Sequence, residues 1–345
     1  MKAARLYTYD SKLVLEDVPK PRITGPHDVV IKVGAAGVCR TDLHVIEKVW
    51  KDTLDTEGTL LPFILGHENA GWVDEVGSAV TTVAPGDTVI LHPHITCGVC
   101  AGCRRGEDMY CETAGFPGLA MDGGYAEYML TNERACIKLD PSLQPVDVAP
   151  LADAGITAYR AVKKAVPRLQ AGTKTVVIGA GGLGHIAIQS LKALSPTEIV
   201  VVDTNPDALE LAKQIGADIT VDAGEGDVVE AVKDLAGGDG VEAVIDFVAE
   251  HGTTDQGPNM LRQGGTYYVV GYGGNVNVPA LQVIFSEISV VGSLVGNYTE
   301  LSELMELAAA KKVTLHSQIY PLDDANVALD DLHHGRVRGR AVLIP

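Results

Sequence analysis

The chain has 345 residues, 46% hydrophobic and 21% charged, a globular composition that excludes disorder as its main state. Lys and Arg number 27 against 45 Asp and Glu, a formal net charge of −18. A surface that acidic repels nucleic-acid phosphates and anionic lipid, so neither is expected as a partner. The length fits two domains better than one.

Residues 1–16 alternate apolar side chains, among them Leu6, Tyr7 and Leu13, with charges. Edge strands read this way; signal peptides do not. The richest apolar run, 176–188, is broken by four glycines and His185, and none approaches the ~20 residues of a membrane span. No membrane association is expected, and the chain is expected in the cytoplasm. As far as residue 150 the chain shows short alternating runs such as 28–33 and 87–91. Turn signals punctuate them at Thr24-Gly25-Pro26, Pro85-Gly86-Asp87 and Asp122-Gly123-Gly124. This pattern predicts a partly closed all-β lobe.

The texture changes near Pro150. A helix is predicted over 155–166, then strands over 173–178, 198–202, 218–221, 242–247, 266–270 and 288–291. Helices over 182–194, 206–215, 227–235 and 253–261 separate them. Apolar strands alternating with helices predict a parallel sheet covered on both faces, the doubly wound dinucleotide-binding arrangement. An amphipathic helix over 301–310 and a short strand-like tail follow, and the tail is expected to return to the first lobe. The expected domains are 1–154 with 295–345, and 155–294.

The first chemical signal is Gly179-Ala180-Gly181-Gly182-Leu183-Gly184, which follows a strand and opens a helix. About 20 residues on, an acid, Asp203, closes the next strand. Gly179 allows the tight turn, Gly181 the approach of a pyrophosphate, and Gly184 close helix–strand packing. The helix N-terminus offers N–H groups to phosphate. Asp203 would bind the adenosine ribose hydroxyls and repel a 2′-phosphate, favouring NAD over NADP.

The second signal is a loop with four of the six cysteines, Cys97, Cys100, Cys103 and Cys111. In a reducing compartment such clustering points to metal rather than to disulfides. Four thiolates complete a tetrahedral zinc and leave no open position, so the site would be structural. An iron–sulfur cluster is the competing occupant, disfavoured by the absence of the proline-terminated cluster pattern and of further cysteines. Cys136 is left over as a small buried residue.

Three other places carry metal-competent residues: Cys39 within Cys39-Arg40-Thr41-Asp42-Leu43-His44, His67 within Gly66-His67-Glu68, and Asp153 within Asp153-Ala154-Gly155. One thiolate, one imidazole and one carboxylate would leave a metal its fourth position for water or substrate. Spacing alone does not show that they converge; taken singly, Cys39 and His67 read as buried core residues.

With these segments in order, the four-cysteine loop, the glycine turn with Asp203, Gly292-Ser293-Leu294-Val295-Gly296 and Gly339-Arg340-Ala341-Val342-Leu343, the chain resembles the zinc-containing medium-chain alcohol dehydrogenases over essentially its whole length. The resemblance implies an α/β protein with a GroES-like, partly closed β-barrel catalytic domain and a Rossmann NAD-binding domain. It implies two zinc ions per chain, the catalytic one held by Cys39, His67 and Asp153. Glu68 would sit beneath that metal, Asp42 would orient His67, and Thr41 would pass the alcohol proton toward His44. Arg40 and Arg340 would hold the pyrophosphate, with Gly182 and Leu183 in the glycine turn. The backbone near Val270, Ser293 and Val295 would meet the nicotinamide carboxamide.

Two departures stand out. Ala208, with Asp207 beside it, replaces the cation that relatives often carry five residues after the ribose acid. The segment 47–59 is a few residues longer than usual and is expected to alter the mouth of the substrate cleft. Loops 92–96 and 116–121 mix Ile95, Phe116, Leu119 and Met121 with His92 and His94, which favours a fairly hydrophobic primary or secondary alcohol. A polyol or amino-alcohol dehydrogenase of the same superfamily is the alternative; a non-catalytic NAD- and zinc-binding sensor is the alternative of another class. Relatives pair through their cofactor-domain sheets, so a homodimer or homotetramer is expected.

Overall fold

A valine-rich run, Asp28–Val38, forms the longest strand, and its eleven residues let it pair with three others. Glu68–Val76 runs antiparallel along one edge. Tyr128–Asn132 takes the first half of the other edge and Arg340–Ile344 the second. Register shifts between Val30 and Ile31 and between Val33 and Ala35 bend the strand, as bulges do where a sheet begins to close. The computed structural model describes residues 1–345 and divides into two units. The first comprises Met1–Ile156, Gly296–Lys311 and Leu315–Pro345; the second comprises Thr157–Val295 and Lys312–Thr314.

In the first unit a seven-stranded sheet is accompanied by a three-stranded one, in which Lys2–Leu6 lies between Val14–Asp17 and Phe63–Ile64. Val29, Ile31, Val33, Leu65, Val89 and Tyr125 belong to one buried cluster, each apolar side chain worth about 1.5–3 kcal/mol on burial. The C-terminal tail does return to this sheet, but as more than a strand: Ser317–Pro321, a helix Ala325–His333, then Arg340–Ile344. That helix buries Ala325, Ala328 and Leu329; with two alanines on its face, the apolar stripe is faint in sequence.

The second unit is the doubly wound sheet. Its strand order is Ile219–Asp222, Glu198–Asp203, Lys174–Ile178, Val241–Asp246, Leu261–Val269, Ser289–Gly292, all parallel. Chain order reverses beside Lys174–Ile178, the switch point outside which such sheets bind ligands. Helix Thr253–Asn259 is shorter than the expected 253–261, and the following strand starts earlier than the expected residue 266. Polar residues hid that start: Arg262 faces Glu242 on the neighbouring strand, with Nε donating at 2.7 Å. Helix Ala280–Ser286 had no counterpart in the sequence reading because its Leu281, Ile284 and Phe285 are exposed and define no buried stripe.

Candidate functional site

Sheet pairing in the first unit brings distant residues together. Cys39 leaves the end of Asp28–Val38 in extended conformation and caps the helix Arg40–Ile46. Gly37 pairs with Glu68, the first residue of Glu68–Val76. A Cβ at Gly37 would stand 2.0 Å from Glu68 Oε2, so glycine there makes room for that carboxylate. Asp153 follows the 3₁₀ turn Ala149–Ala152 and precedes the helix Ala154–Ala165. The ligand atoms of Cys39, His67, Glu68 and Asp153 all lie within 4.8 Å of one another.

The donor set fits a divalent metal. His67 is 1% exposed and its Nε2 has no hydrogen-bond partner; Asp153 Oδ1 is likewise buried and unpartnered. His67 Nε2 stands 3.5 Å from Asp153 Oδ2. Buried polar atoms are normally satisfied, and a cation among thiol, imidazole and carboxylate would satisfy these. Burial opposes a charge on His67, but the Asp42 carboxylate and the Cys39 thiol prevail and hold its pKa well above the ordinary value. Burial pushes the Asp153 carboxyl up, against the pull of His67 and Arg340.

Around this cluster lie the other residues singled out. Asp42 is fully buried; Oδ2 accepts the Cys39 backbone N–H at 2.9 Å and the Tyr125 hydroxyl at 2.8 Å. Its Oδ1 is 3.2 Å from His67 Nδ1. The Thr41 hydroxyl is 3.7 Å from Cys39 Sγ. His44 lies half-buried one turn along the same helix, and Arg40 is exposed at its start. Arg340 is 4% exposed and donates from Nη2 to Glu68 Oε2, while Glu68 Oε1 accepts the Ala154 N–H at 3.0 Å. Burial pushes the Glu68 carboxyl up and Arg340 opposes it, as a buried carboxylate requires. Neither the Glu68–Arg340 pair nor Tyr125 was visible in the sequence. Tyr125 sits in a Gly-Gly-Tyr stretch read only as a turn.

Loops 92–96 and 116–121 do meet. Ile95 bridges Gly115, and the His94 ring packs on Phe116 at 4.5 Å between centroids. Phe116 stands edge-on to His67 at 6.0 Å. His92 is satisfied by Gly296 O at 3.0 Å, whereas His94 Nδ1 is buried without a partner. Burial, then His92, lowers the His94 pKa to about 3, so its imidazole is neutral. Segment 47–59 contains the helix Lys51–Leu54. It borders a cavity of about 460 Å³ that also touches Met121.

The four-cysteine loop closes on itself. Its four sulfurs lie within 4.8 Å of one another, compatible with the ~3.8 Å edge of a tetrahedron of Zn–S bonds near 2.3 Å. Backbone N–H groups already point at sulfur: Cys97 to Cys111 at 3.3 Å, and Cys100 to Cys97 at 3.3 Å. Those of Val99 and Cys100 lower the Cys97 pKa to about 6, while burial raises Cys103 to about 12. All six cysteines are free thiols.

In the second unit, the turn Gly179–Gly184 joins the central strand Lys174–Ile178 to the helix Gly184–Leu194, whose N-terminus no side chain caps. A Cβ on Gly184 would fall 1.8 Å from Gly179 O, so packing alone demands glycine there. A Cβ on Gly181 would meet nothing within 4 Å. The protein itself does not require glycine at 181, but a phosphate lying on the turn would. Asp203 ends its strand with Oδ2 accepting the Ala180 N–H at 2.7 Å and Oδ1 the Asn205 N–H at 2.8 Å. Asp207 occupies the first turn of the helix Pro206–Ile215, where an acid suits the dipole. Val270 N–H bonds Asp246 O and Ser293 N–H bonds Val269 O. Val295 holds φ at +42°, a left-handed conformation rare for a β-branched residue.

Comparison with known proteins covers both units. Residues 25–141 match the model of the alcohol dehydrogenase GroES-like domain, and 182–310 that of the zinc-binding dehydrogenase. An NAD-dependent alcohol dehydrogenase of Sulfurisphaera tokodaii is 39% identical over 350 residues, covering all of both chains. A D-arabinose 1-dehydrogenase (NADP(+)) of Saccharolobus solfataricus is 37% identical, covering all of this chain and 97% of that one. The crystal structure of the alcohol dehydrogenase of Aeropyrum pernix superposes with a TM-score of 0.95 at 48% identity, covering both chains fully.

Proposed function

The chain belongs to the zinc-containing medium-chain alcohol dehydrogenase family, and we propose that it reversibly oxidises an alcohol to an aldehyde or ketone with NAD. One observation carries the reading beyond family membership: a buried thiol, a buried imidazole and a partly buried carboxylate from three distant segments converge on one centre.

Cys39, His67 and Asp153 would hold the catalytic zinc, and Cys97, Cys100, Cys103 and Cys111 a second, structural one. When bound, the catalytic zinc supplies Lewis acidity that lowers the pKa of a bound hydroxyl. NAD, held in the second unit, would supply the hydride acceptor. The rest falls to the chain. The Thr41 hydroxyl, beside Cys39, takes the alcohol proton and passes it toward His44, whose imidazole can exchange a proton with water. Asp42 holds the His67 imidazole, and the Glu68–Arg340 pair keeps a carboxylate ready under the cluster without leaving a lone buried charge. In the second unit, Gly181 and the uncapped helix N-terminus would take the pyrophosphate, and Asp203 the ribose. Val270, Ser293 and Val295 offer backbone groups to the carboxamide.

Phe116 beside His67 supports a substrate with an apolar body. The unpartnered His94 nitrogen and the D-arabinose relative support a second reading, in which the alcohol carries further hydroxyls. The need for reduced cysteines supports a cytoplasmic location. A homodimer or homotetramer completes the proposal, supported by the exposed Leu281, Ile284 and Phe285 on the helix that precedes the edge strand Ser289–Gly292 in the chain.

The test is a panel of linear, branched, cyclic, aromatic and polyhydroxy alcohols, assayed with zinc-loaded protein and either cofactor. NADH formation from linear or aromatic alcohols is the expected result, and turnover confined to polyhydroxy compounds would favour the second reading. No NADH from any alcohol would leave the non-catalytic sensor as the better account.

A further inference from the structure

Tyr125 has no part in the chemistry above, yet it is among the largest fully buried side chains of the molecule. Its ring fills the space beside Gly66, where an added Cβ would fall 2.4 Å from Cδ1. Burying a phenol hydroxyl unsatisfied costs about 1–3 kcal/mol, so a tyrosine at this depth needs an acceptor. It has a strong one: the hydroxyl donates to Asp42 Oδ2 at 2.8 Å, with Gly37 O a distant second at 3.4 Å. The same Oδ2 accepts the Cys39 N–H at 2.9 Å, and Oδ1 faces His67 Nδ1 at 3.2 Å.

We propose that Tyr125 is a positioning residue for the metal centre, its hydroxyl fixing the rotation of the Asp42 carboxylate that orients His67. The inference rests on the reading of Cys39, His67 and Asp153 as metal ligands. A carboxylate held by one partner still turns about its Cβ–Cγ bond. Two donors on Oδ2, one from backbone and one from an immobile ring, stop that turn and reserve Oδ1 for the imidazole. A neutral imidazole has one donor and one acceptor nitrogen. The Asp42 carboxylate 3.2 Å from Nδ1 favours the tautomer with its proton on Nδ1, which leaves the Nε2 lone pair for a metal. Packing does not explain the residue, because phenylalanine would fill the same volume without bringing a polar atom into the core.

The test is the rate at which the zinc-loaded protein gives up metal to excess pyridine-2,6-dicarboxylate. The phase abolished by Cys39→Ser is assigned to this centre, and the remaining phase to the four cysteines. Tyr125→Phe should speed the first phase about tenfold, the low end for groups that orient a ligand, and leave the second unchanged. In an Asp42→Ala background the same substitution should add less than about twofold, since nothing remains for the hydroxyl to hold. An unchanged first phase in Tyr125→Phe, or an equal acceleration with and without Asp42, would overturn the assignment while leaving the metal reading intact. Absence in the parent protein of any phase sensitive to Cys39→Ser would instead remove the metal reading, and the inference with it.

Discussion

The first unit carries two clusters of metal-competent side chains, and they are built in opposite ways. Cys97, Cys100, Cys103 and Cys111 come from one loop, stay partly exposed, and are steadied by backbone N–H groups of that loop. Cys39, His67 and Asp153 come from a strand end, a loop and a helix start, and His67 and Glu68 are wholly enclosed. A closed set of four thiolates stiffens its own loop and needs little else. If Cys39, His67 and Asp153 are ligands as proposed, an open set of three must be held at fixed angles from outside. Asp42, Glu68 and Arg340 lie around that cluster, with Tyr125 on Asp42. On the proposed assignment, the local ligands would serve stability and the dispersed ones reactivity.

The sharpest way to break the contrast is Cys39→Ser. Zinc per chain should fall from two to one, and alcohol turnover by at least about a thousandfold, since Lewis-acid stabilisation is worth several kcal/mol at about 1.4 kcal/mol per tenfold. Metal analysis beside steady-state rates is the measurement. Unchanged metal content would strike Cys39 from the ligands and dissolve the distinction between the clusters.

The same contrast explains what could be read in the sequence. The four-cysteine loop, the glycine turn and Asp203 are local patterns in which spacing is itself the geometry. The six parallel strands were legible for a similar reason, because Val176, Ile178, Val200 and Val202 are buried in unbroken apolar runs. Convergence of Cys39, His67 and Asp153 depends on the pairing of Gly37 with Glu68, and no periodicity carries a pairing of strands so far apart. Only the family resemblance anticipated it. The supporting residues were harder still. Arg340 was expected at a pyrophosphate; its pairing with Glu68, 272 residues away, is a property of the folded sheet. Helix Arg40–Ile46 went unread because its N-cap is a cysteine, a residue with no preference for that position.

Asp203→Gly probes a local motif in the second unit and should have an intermediate effect. Loss of a charge-assisted hydrogen bond of about 1.5–3 kcal/mol predicts a fall of about tenfold to a hundredfold in the NAD-to-NADP ratio of kcat/KM. Because this carboxylate also holds the Ala180 and Asn205 N–H groups, affinity for NAD itself should drop as the turn loosens. A mutant as selective for NAD as its parent would show that the acid serves the turn alone.

Cys103→Ser should disturb turnover least and therefore sharpens the comparison most. Zinc should again fall to one per chain, the same stoichiometric loss as in Cys39→Ser. Yet kcat of the folded protein should change less than about threefold, under 1 kcal/mol of barrier, because no atom of this loop is assigned to substrate. The cost should appear as a thermal midpoint lower by about 5 °C, since the metal's binding energy contributes to folding. Two variants with equal metal loss, one inactive, the other active but thermolabile, would separate the reactive site from the stabilising one. A Cys103→Ser protein as inactive as Cys39→Ser would mean that the loop, for all its self-sufficiency, transmits its order to the chemistry.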